Sequence, residues 1–509
     1  MTIASPGRLL LATTALVLLT AAPAPAQRRP AGRDPFAGFD QYATAAMQQW
    51  KVPGMAIAVV RGDSILMVKG YGVRTLGDPA PVDAQTLFAI GSASKAFTGA
   101  ALEMLADEGK VSFDNRVTDY IPWFEMYDPW VTREIRVRDL LLHRSGLSRG
   151  DNIWYATTHS REEIVRAIRN LPPSTSFRTR FQYQNLMFIT AGEVVHQVSG
   201  ESWDDFVKRR IFAPLEMTHS STSVKDLAGQ PDVATPHAEL GGVVRAIPYR
   251  NIDNAGPAGS INSSATDMAN WLRLWIGKGS FEGKRLLSEA VVREATAPQF
   301  TVDDPDMIAR LMSPNFLSYG FGWFIEDFRG RRWVNHGGNI DGMAAMVGFL
   351  PEDRIGVVIL TNMNQSDVTL PLTANLFDRV LGIWPPKDYN SEYYVAAKEH
   401  EAKRRAAAGE RPHVVGTKPS LPLSAYAGVY RNSYLGTASV RLEPSGALSI
   451  QYDASPAMAG DLEHWHYDSF MATMRDPMLG KIPVTFRLGG NGQVASMIFP
   501  IAPSEWIKQ

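Results

Sequence analysis

Strand-like apolar runs stand near both ends of the first 384 residues, and a long helical, loop-rich stretch separates them. Gly54 to Val60 is one such run. Arg61-Gly62-Asp63 supplies turn chemistry after it, and Ser64 to Val73 alternates again, which predicts a hairpin. The others come late: Trp333 to Asn335, Met343 to Leu350 and Ile355 to Thr361, the last two joined by Pro351-Glu352-Asp353-Arg354. Strands from both ends around a helical middle predict one antiparallel sheet assembled from distant parts of the chain. The fold class is therefore α+β, a sheet flanked by helices with a helical insertion. Helical spacing marks Phe39 to Trp50, Leu370 to Leu381, and Ser92 to Glu108, where Phe97, Ala101, Leu102 and Leu105 share a face before Gly109.

At 509 residues the chain is long for one compact domain. Residues 36–384 are expected to form the α+β domain. Residues 385–420 read as a solvated linker, helical in part, because Lys398 to Arg411 is polar, Ala-rich and has no apolar stripe. Residues 421–509 carry short alternating segments separated by turn residues: Gly428 to Tyr430, Ala438 to Leu442, Leu448 to Tyr452, Val484 to Leu488 and Ala495 to Phe499. That pattern predicts a small all-β, barrel-like domain.

The N-terminus reads as a cleavable leader over residues 1–26. An apolar run, Leu9 to Ala22, is short for a membrane span, and Ala24-Pro25-Ala26 puts small residues where a signal peptidase cuts. The expectation is a periplasmic or secreted protein without a stable membrane anchor. The chain has no cysteine, which excludes a thiol nucleophile, a cysteine-ligated metal and a lipid-modified N-terminus. Fifty-one Lys and Arg against 52 Asp and Glu leave a formal charge of −1, with no basic excess for nucleic acid. No cofactor or metal is expected, and the partner is a small-molecule or short-peptide substrate.

A nucleophilic serine needs a base in reach and donors for the oxyanion. Ser92-Ala93-Ser94-Lys95 is the one Ser-x-x-Lys in the chain, and three residues of helix put both side chains on one face. Ser92 stands at a helix start, where backbone N–H groups favour negative charge. Tyr183-Gln184-Asn185 precedes a helical stretch, and His336-Gly337-Gly338 closes an apolar strand. Together these motifs, in this order, resemble the serine β-lactamase and penicillin-binding protein superfamily, closest to its class C-like branch of esterases, D-aminopeptidases and related hydrolases. Phe88 to Gly91, Leu141 to Leu147 and Pro257 to Ser260 fit the same resemblance, which covers about Phe36 to Trp384. The C-terminal segment resembles the lipocalin-like barrels that accompany some members.

The resemblance implies that Ser92 forms an acyl-enzyme. Lys95 keeps the Tyr183 phenol deprotonated or acts as the base itself, and Tyr183 relays the proton. Asn185, His336, Gly337, Gly338 and Asn339 would contact substrate, with the Ser92 and Asn339 N–H groups as the oxyanion hole. His336 departs from the lysine usual in true β-lactamases, which weakens efficient β-lactam hydrolysis; a β-lactamase, or a slow-turnover penicillin-binding receptor or cell-wall-binding protein, is the alternative function. The expected activity is hydrolysis of an ester or amide bond, with peptidase or amidase chemistry favoured over carboxylesterase.

Two other features are set aside. Gly146-Leu147-Ser148-Arg149-Gly150 matches a nucleophile elbow, but the strand and helix such an elbow requires are not evident around Ser148. His464-Trp465-His466 offers two imidazoles without a third ligand, so packing within the β domain is the expected role.

Overall fold

The computed structural model describes residues 34–304, 314–409 and 411–509. The leader call on residues 1–26 lies outside them. The first domain is built on strands β1 (Gly54–Arg61), β2 (Ser64–Gly72), β3 (Phe300–Thr301), β4 (Leu317–Tyr319), β5 (Phe324–Phe328), β6 (Arg331–Ile340), β7 (Met343–Leu350) and β8 (Ile355–Thr361). They form one antiparallel sheet in the order β2-β1-β8-β7-β6-β5-β4-β3. β1 and β8 pair from Met55–Thr361 to Arg61–Ile355, so the sheet closes over everything between them in sequence.

Helices cover both faces: among the described residues α1 (Phe39–Gln49), α2 (Lys95–Asp107), α3 (Asn185–Ser199), α4 (Ala265–Ile276), α5 (Thr369–Leu381) and α6 (Tyr389–Ala408) are the longest. Met55, Ile57 and Val59 of β1 join the cluster of α1 and α5, while Ala56, Ala58 and Val60 join that of α2 and α4. Two covered faces explain why β1 reads as a continuous apolar run and not as an alternation. The segment expected as a linker is mostly α6. Its first turn is tied to α1, with Trp50 Nε1 donating to Asn390 Oδ1 at 2.9 Å, and its later turns are exposed.

Two local expectations need correction. The helix expected from Ser92 begins with a 3₁₀ turn, Gly91–Ser94, and the α-helix starts at Lys95. The strand expected to end at Asn335 continues to Ile340, so His336, Gly337 and Gly338 lie inside β6. The glycines have low strand propensity, but the ladder to β7 carries them, with Gly337 opposite Met346 and Gly338 opposite Ala345.

The C-terminal residues form a closed antiparallel barrel of eight strands: β9 (Gly428–Asn432), β10 (Gly436–Leu442), β11 (Leu448–Tyr452), β12 (Ala459–His466), β13 (Ser469–Met474), β14 (Lys481–Leu488), β15 (Val494–Ile498) and β16 (Trp506–Lys508). Buried aromatic side chains meet within it: Phe486 lies 5.0 Å from Tyr426 and 5.8 Å from Tyr430, and Tyr452 lies 6.0 Å from Trp506. β12 was not legible as a strand. It carries Asp461, Glu463 and two histidines, and a bulge separates His464 from His466. Among the described residues no group of three potential metal ligands includes that pair.

Candidate active site

Gly91 starts the turn that presents Ser92. Its φ of +51° is a left-handed conformation, and a Cβ there would meet the Asn339 nitrogen at 2.7 Å. From the other side, a Cβ on Gly338 would stand 1.8 Å from the Ile90 carbonyl oxygen and 3.0 Å from the Ser92 nitrogen. Two glycines thus let the nucleophile turn lie directly against β6. The backbone nitrogens of Ser92 and Asn339 both sit at this seam.

Lys95 opens α2, which is buried without interruption from Lys95 to Leu105. Its Nζ lies 3.1 Å from Ser92 Oγ, 2.8 Å from Asn185 Oδ1 and 2.7 Å from the Ala258 carbonyl oxygen. Burial, and next the positive charge of Arg149, hold the ammonium well below the ordinary lysine range, with Asp151 acting in the opposite sense. Carbonyl oxygens only accept, so Asn185 and Ala258 take two N–H groups from Nζ. The third direction of Nζ faces Ser92 Oγ.

Tyr183 is hydrogen-bonded to Ser92, and Lys95 Nζ lies 4.8 Å from its ring centroid. Burial pushes its phenol well above the ordinary range, outweighing the hydrogen bond to Ser92 and the charge of Arg149. Asn185, the first residue of α3, donates Nδ2 to Asp151 Oδ1 at 3.0 Å. Arg149 reaches Asp151 Oδ2 through Nε at 2.5 Å, and its guanidinium carbon stands 5.3 Å from the Tyr183 ring.

Beneath Tyr183 lie two buried imidazoles. His336 donates Nδ1–H to the Gly337 carbonyl at 2.6 Å and accepts the Tyr319 hydroxyl at Nε2, 2.8 Å away. Burial, then the Lys95 charge, push its pKa down to about 3, so it is neutral. It is 2% exposed, and its ring centroid is 6.3 Å from that of Tyr183, which makes it part of the floor of the site. His143 packs closer, its ring centroid 4.3 Å from that of Tyr183. It accepts the Gln184 N–H at Nδ1, and its buried Nε2 has no partner.

Ser92, Lys95, Tyr183, Asn185, Gly338 and Asn339 therefore converge, with His336 and Gly337 on the same strand. His143 and Ala258 belong to stretches that the sequence singled out without a role. Arg149 entered the sequence reading only as a variable position of the elbow match, and Asp151 not as a site residue. An opposite-charge pair around a glycine is the sole local signal there. Ser148 is not part of the site: its hydroxyl donates to the Pro172 carbonyl at 3.2 Å, and a helical turn (Val137–Leu141), not a strand, precedes its segment.

Comparison with known proteins identifies the family and the fold. Residues 39–377 match the Beta-lactamase family model, and residues 412–508 match a domain of unknown function, DUF3471. The unguisins hydrolase ungD of Aspergillus violaceofuscus (strain CBS 115571) is 28% identical over 480 residues, covering 86% of this chain and 82% of that protein. Protein flp of Staphylococcus aureus (strain N315) is 23% identical over 325 residues, 63% of this chain and 62% of that one. The octameric penicillin-binding protein homologue from Pyrococcus abyssi has the same fold, with a TM-score of 0.62 at 21% identity over 93% of this chain and 99% of that one. By the extent of the family match and by its fold, the chain belongs to the beta-lactamase family of hydrolases, within the serine β-lactamase and penicillin-binding protein superfamily.

Proposed function

We propose that the protein is an exported serine hydrolase that cleaves an ester or amide bond of a small molecule or short peptide through an acyl-enzyme on Ser92. The observation that carries this reading is the Lys95 amine, buried and aimed at Ser92 Oγ from 3.1 Å. Of the two base assignments open at the level of sequence, the opposite shifts of Lys95 and Tyr183 favour Lys95 as the base and a protonated Tyr183. In the first step Ser92 Oγ bonds to the carbonyl carbon while its proton passes to Lys95 Nζ. The carbonyl oxygen takes up negative charge at the Ser92 and Asn339 N–H groups. Collapse breaks the bond to the leaving group, which departs with a proton from Tyr183 Oη, and Lys95 returns that proton to the phenol. Water then attacks the acyl-enzyme by the same route, freeing the acid and restoring Ser92.

Amide and peptide bonds are the preferred targets, because His336 and the added β domain both resemble the peptidases of the family. A neutral, buried His336 offers no cation to a β-lactam carboxylate, which disfavours the β-lactamase reading. Export rests on Leu9 to Ala22 followed by Ala24-Pro25-Ala26. The test is a panel of p-nitrophenyl esters, L- and D-aminoacyl p-nitroanilides, short peptides and a chromogenic cephalosporin, run on wild type and Ser92→Ala. Turnover of an anilide or peptide that vanishes in the variant supports the proposal. Turnover that survives the substitution overturns it, and turnover of the cephalosporin alone overturns the choice of substrate.

A further inference from the structure

We propose that the C-terminal barrel is part of the catalytic unit, and that Tyr434 is a positioning residue that holds the Arg149–Asp151 segment against the Lys95–Asn185 pair. The inference rests on the reading of Ser92 as nucleophile. Tyr434 lies between β9 and β10, is 3% exposed, and reaches across the domain boundary to donate Oη to the Gly150 carbonyl at 2.6 Å. Gly150 has a φ of +64°, and a Cβ on it would press on Tyr434 Oη and on Leu171 Cδ2, each at 2.7 Å. The contact is thus shaped for a glycine on one side and a tyrosine on the other.

The two neighbours of Gly150 are the two charges nearest the site. Asp151 Oδ1 accepts from Asn185 Nδ2 at 3.0 Å, and Asn185 Oδ1 accepts from Lys95 Nζ at 2.8 Å. Lys95 Nζ is 3.1 Å from Ser92 Oγ. A continuous polar path therefore runs from the barrel to the nucleophile through four short contacts. A second strut meets the opposite rim. Arg250 pairs with Asp476 of the barrel and, at 2.9 Å, with Asp341, which follows the end of β6 two residues after Asn339. Asn152 Nδ2 donates to the Ile501 carbonyl at 2.7 Å and tethers the Gly150 loop a second time. The barrel grips both sides of the site, and Tyr434 is the grip closest to the chemistry.

Losing the Tyr434 hydroxyl strands the Gly150 carbonyl and frees Asp151 and Arg149 to move relative to Lys95. The titratable and charged groups around Lys95 are Arg149, Asp151, Tyr183, His143 and His336, so such movement changes when Lys95 loses its proton.

The experiment uses the full chain and a fluorophosphonate probe, with the rate of labelling at Ser92 followed by mass spectrometry across pH. Tyr434→Phe keeps the ring in its buried seat. It is expected to slow labelling about tenfold, the effect of one buried hydrogen bond, and to displace the pH midpoint of labelling, which a loss of stability alone would not move. Gly150→Ala presses on the same contact from the other side and is expected to act on the same rate and the same midpoint. In an Asp151→Asn background, Tyr434→Phe is expected to cost nothing further, because both act along one path. A wild-type rate and pH profile in both Tyr434→Phe and Gly150→Ala overturns the inference, and so do losses that add in full with Asp151→Asn. A wild type that does not label at Ser92 overturns the nucleophile itself and this inference with it.

Discussion

Gly338 and Ser92 meet backbone to backbone, with only 3.0 Å between the Ser92 nitrogen and the place a Cβ on Gly338 would occupy. The same Cβ would overlap the Ile90 carbonyl at 1.8 Å, a contact no rotamer relieves. Gly338→Ala must therefore push the nucleophile turn off β6, although the rest of β6 stays paired with β7. A displacement of this kind costs about 100-fold in rate. Turnover in the variant with an unchanged circular dichroism spectrum is the check, and wild-type turnover would show that the seam is not part of the reactive geometry.

The protonation of Lys95 sets the acid limb of the pH–rate profile. Activity is expected to rise as Lys95 loses its proton, well below the ordinary lysine value of 10.5. The charge on Arg149 helps to hold that value down and the charge on Asp151 holds it up. Arg149→Gln therefore moves the limb to higher pH and Asp151→Asn moves it to lower pH. The kcat/KM profiles of the two variants provide the measurement. Shifts in the same direction would remove Lys95 as the base.

Glu326 of β5 is buried and accepts from Asn335 Nδ2 at 2.7 Å, yet burial pushes its carboxyl up from 4.5 to about 7. The folded state then binds this proton more tightly than the unfolded state. The associated stability is fully present below about pH 4.5 and is lost as pH rises through about 7, about 3 kcal/mol in all. Glu326→Gln is expected to flatten that part of the curve of unfolding free energy against pH. A slope that persists in the variant assigns it to another group.

Asp139 is fully buried and gathers the region before Tyr183. Its carboxylate accepts from Arg144 Nε at 2.6 Å, from Arg178 Nη2 at 2.6 Å and from the Arg136 backbone N–H at 2.8 Å. Arg144 follows His143, and Arg178 lies five residues before Tyr183, so the pairing ties both aromatic neighbours of the site to one point. Asp139→Ala leaves two partly buried guanidinium groups unpaired, at a cost of about 3 kcal/mol. Urea unfolding measures this, and a change under about 1 kcal/mol would mean that solvent compensates the arginines.

Some of this was readable from residues alone, because it depends on short range. Ser92 and Lys95 are three apart, and any helical turn brings them together. β7 and β8 are dense apolar runs bounded by turn residues, so their limits in the structure are those read from the sequence, Met343–Leu350 and Ile355–Thr361. β12 was missed because Gly460, Asp461, Glu463 and two histidines leave it no run of apolar alternation, and because only pairing on both sides in a closed barrel makes it a strand. The continuation of β6 through Gly337 and Gly338 was missed for a related reason, since the partner strand and not the glycines supplies the extended geometry.

The sequence by itself determined which reactive groups the chain possesses and which of them are neighbours along it. Only the tertiary structure decided what state they are in. Lys95 is held well below the ordinary lysine range because α2 is buried, while Asn185 and Ala258, distant in sequence, fill two of its hydrogen-bonding directions. Tyr183 stays a phenol because the same burial outweighs the charges near it. The position of Asp151 depends on Gly150 and on a tyrosine nearly three hundred residues further along the chain. A pattern of residues carries chemistry at short range, but protonation depends on how much water is excluded and which charges stay close, and both are properties of the folded whole.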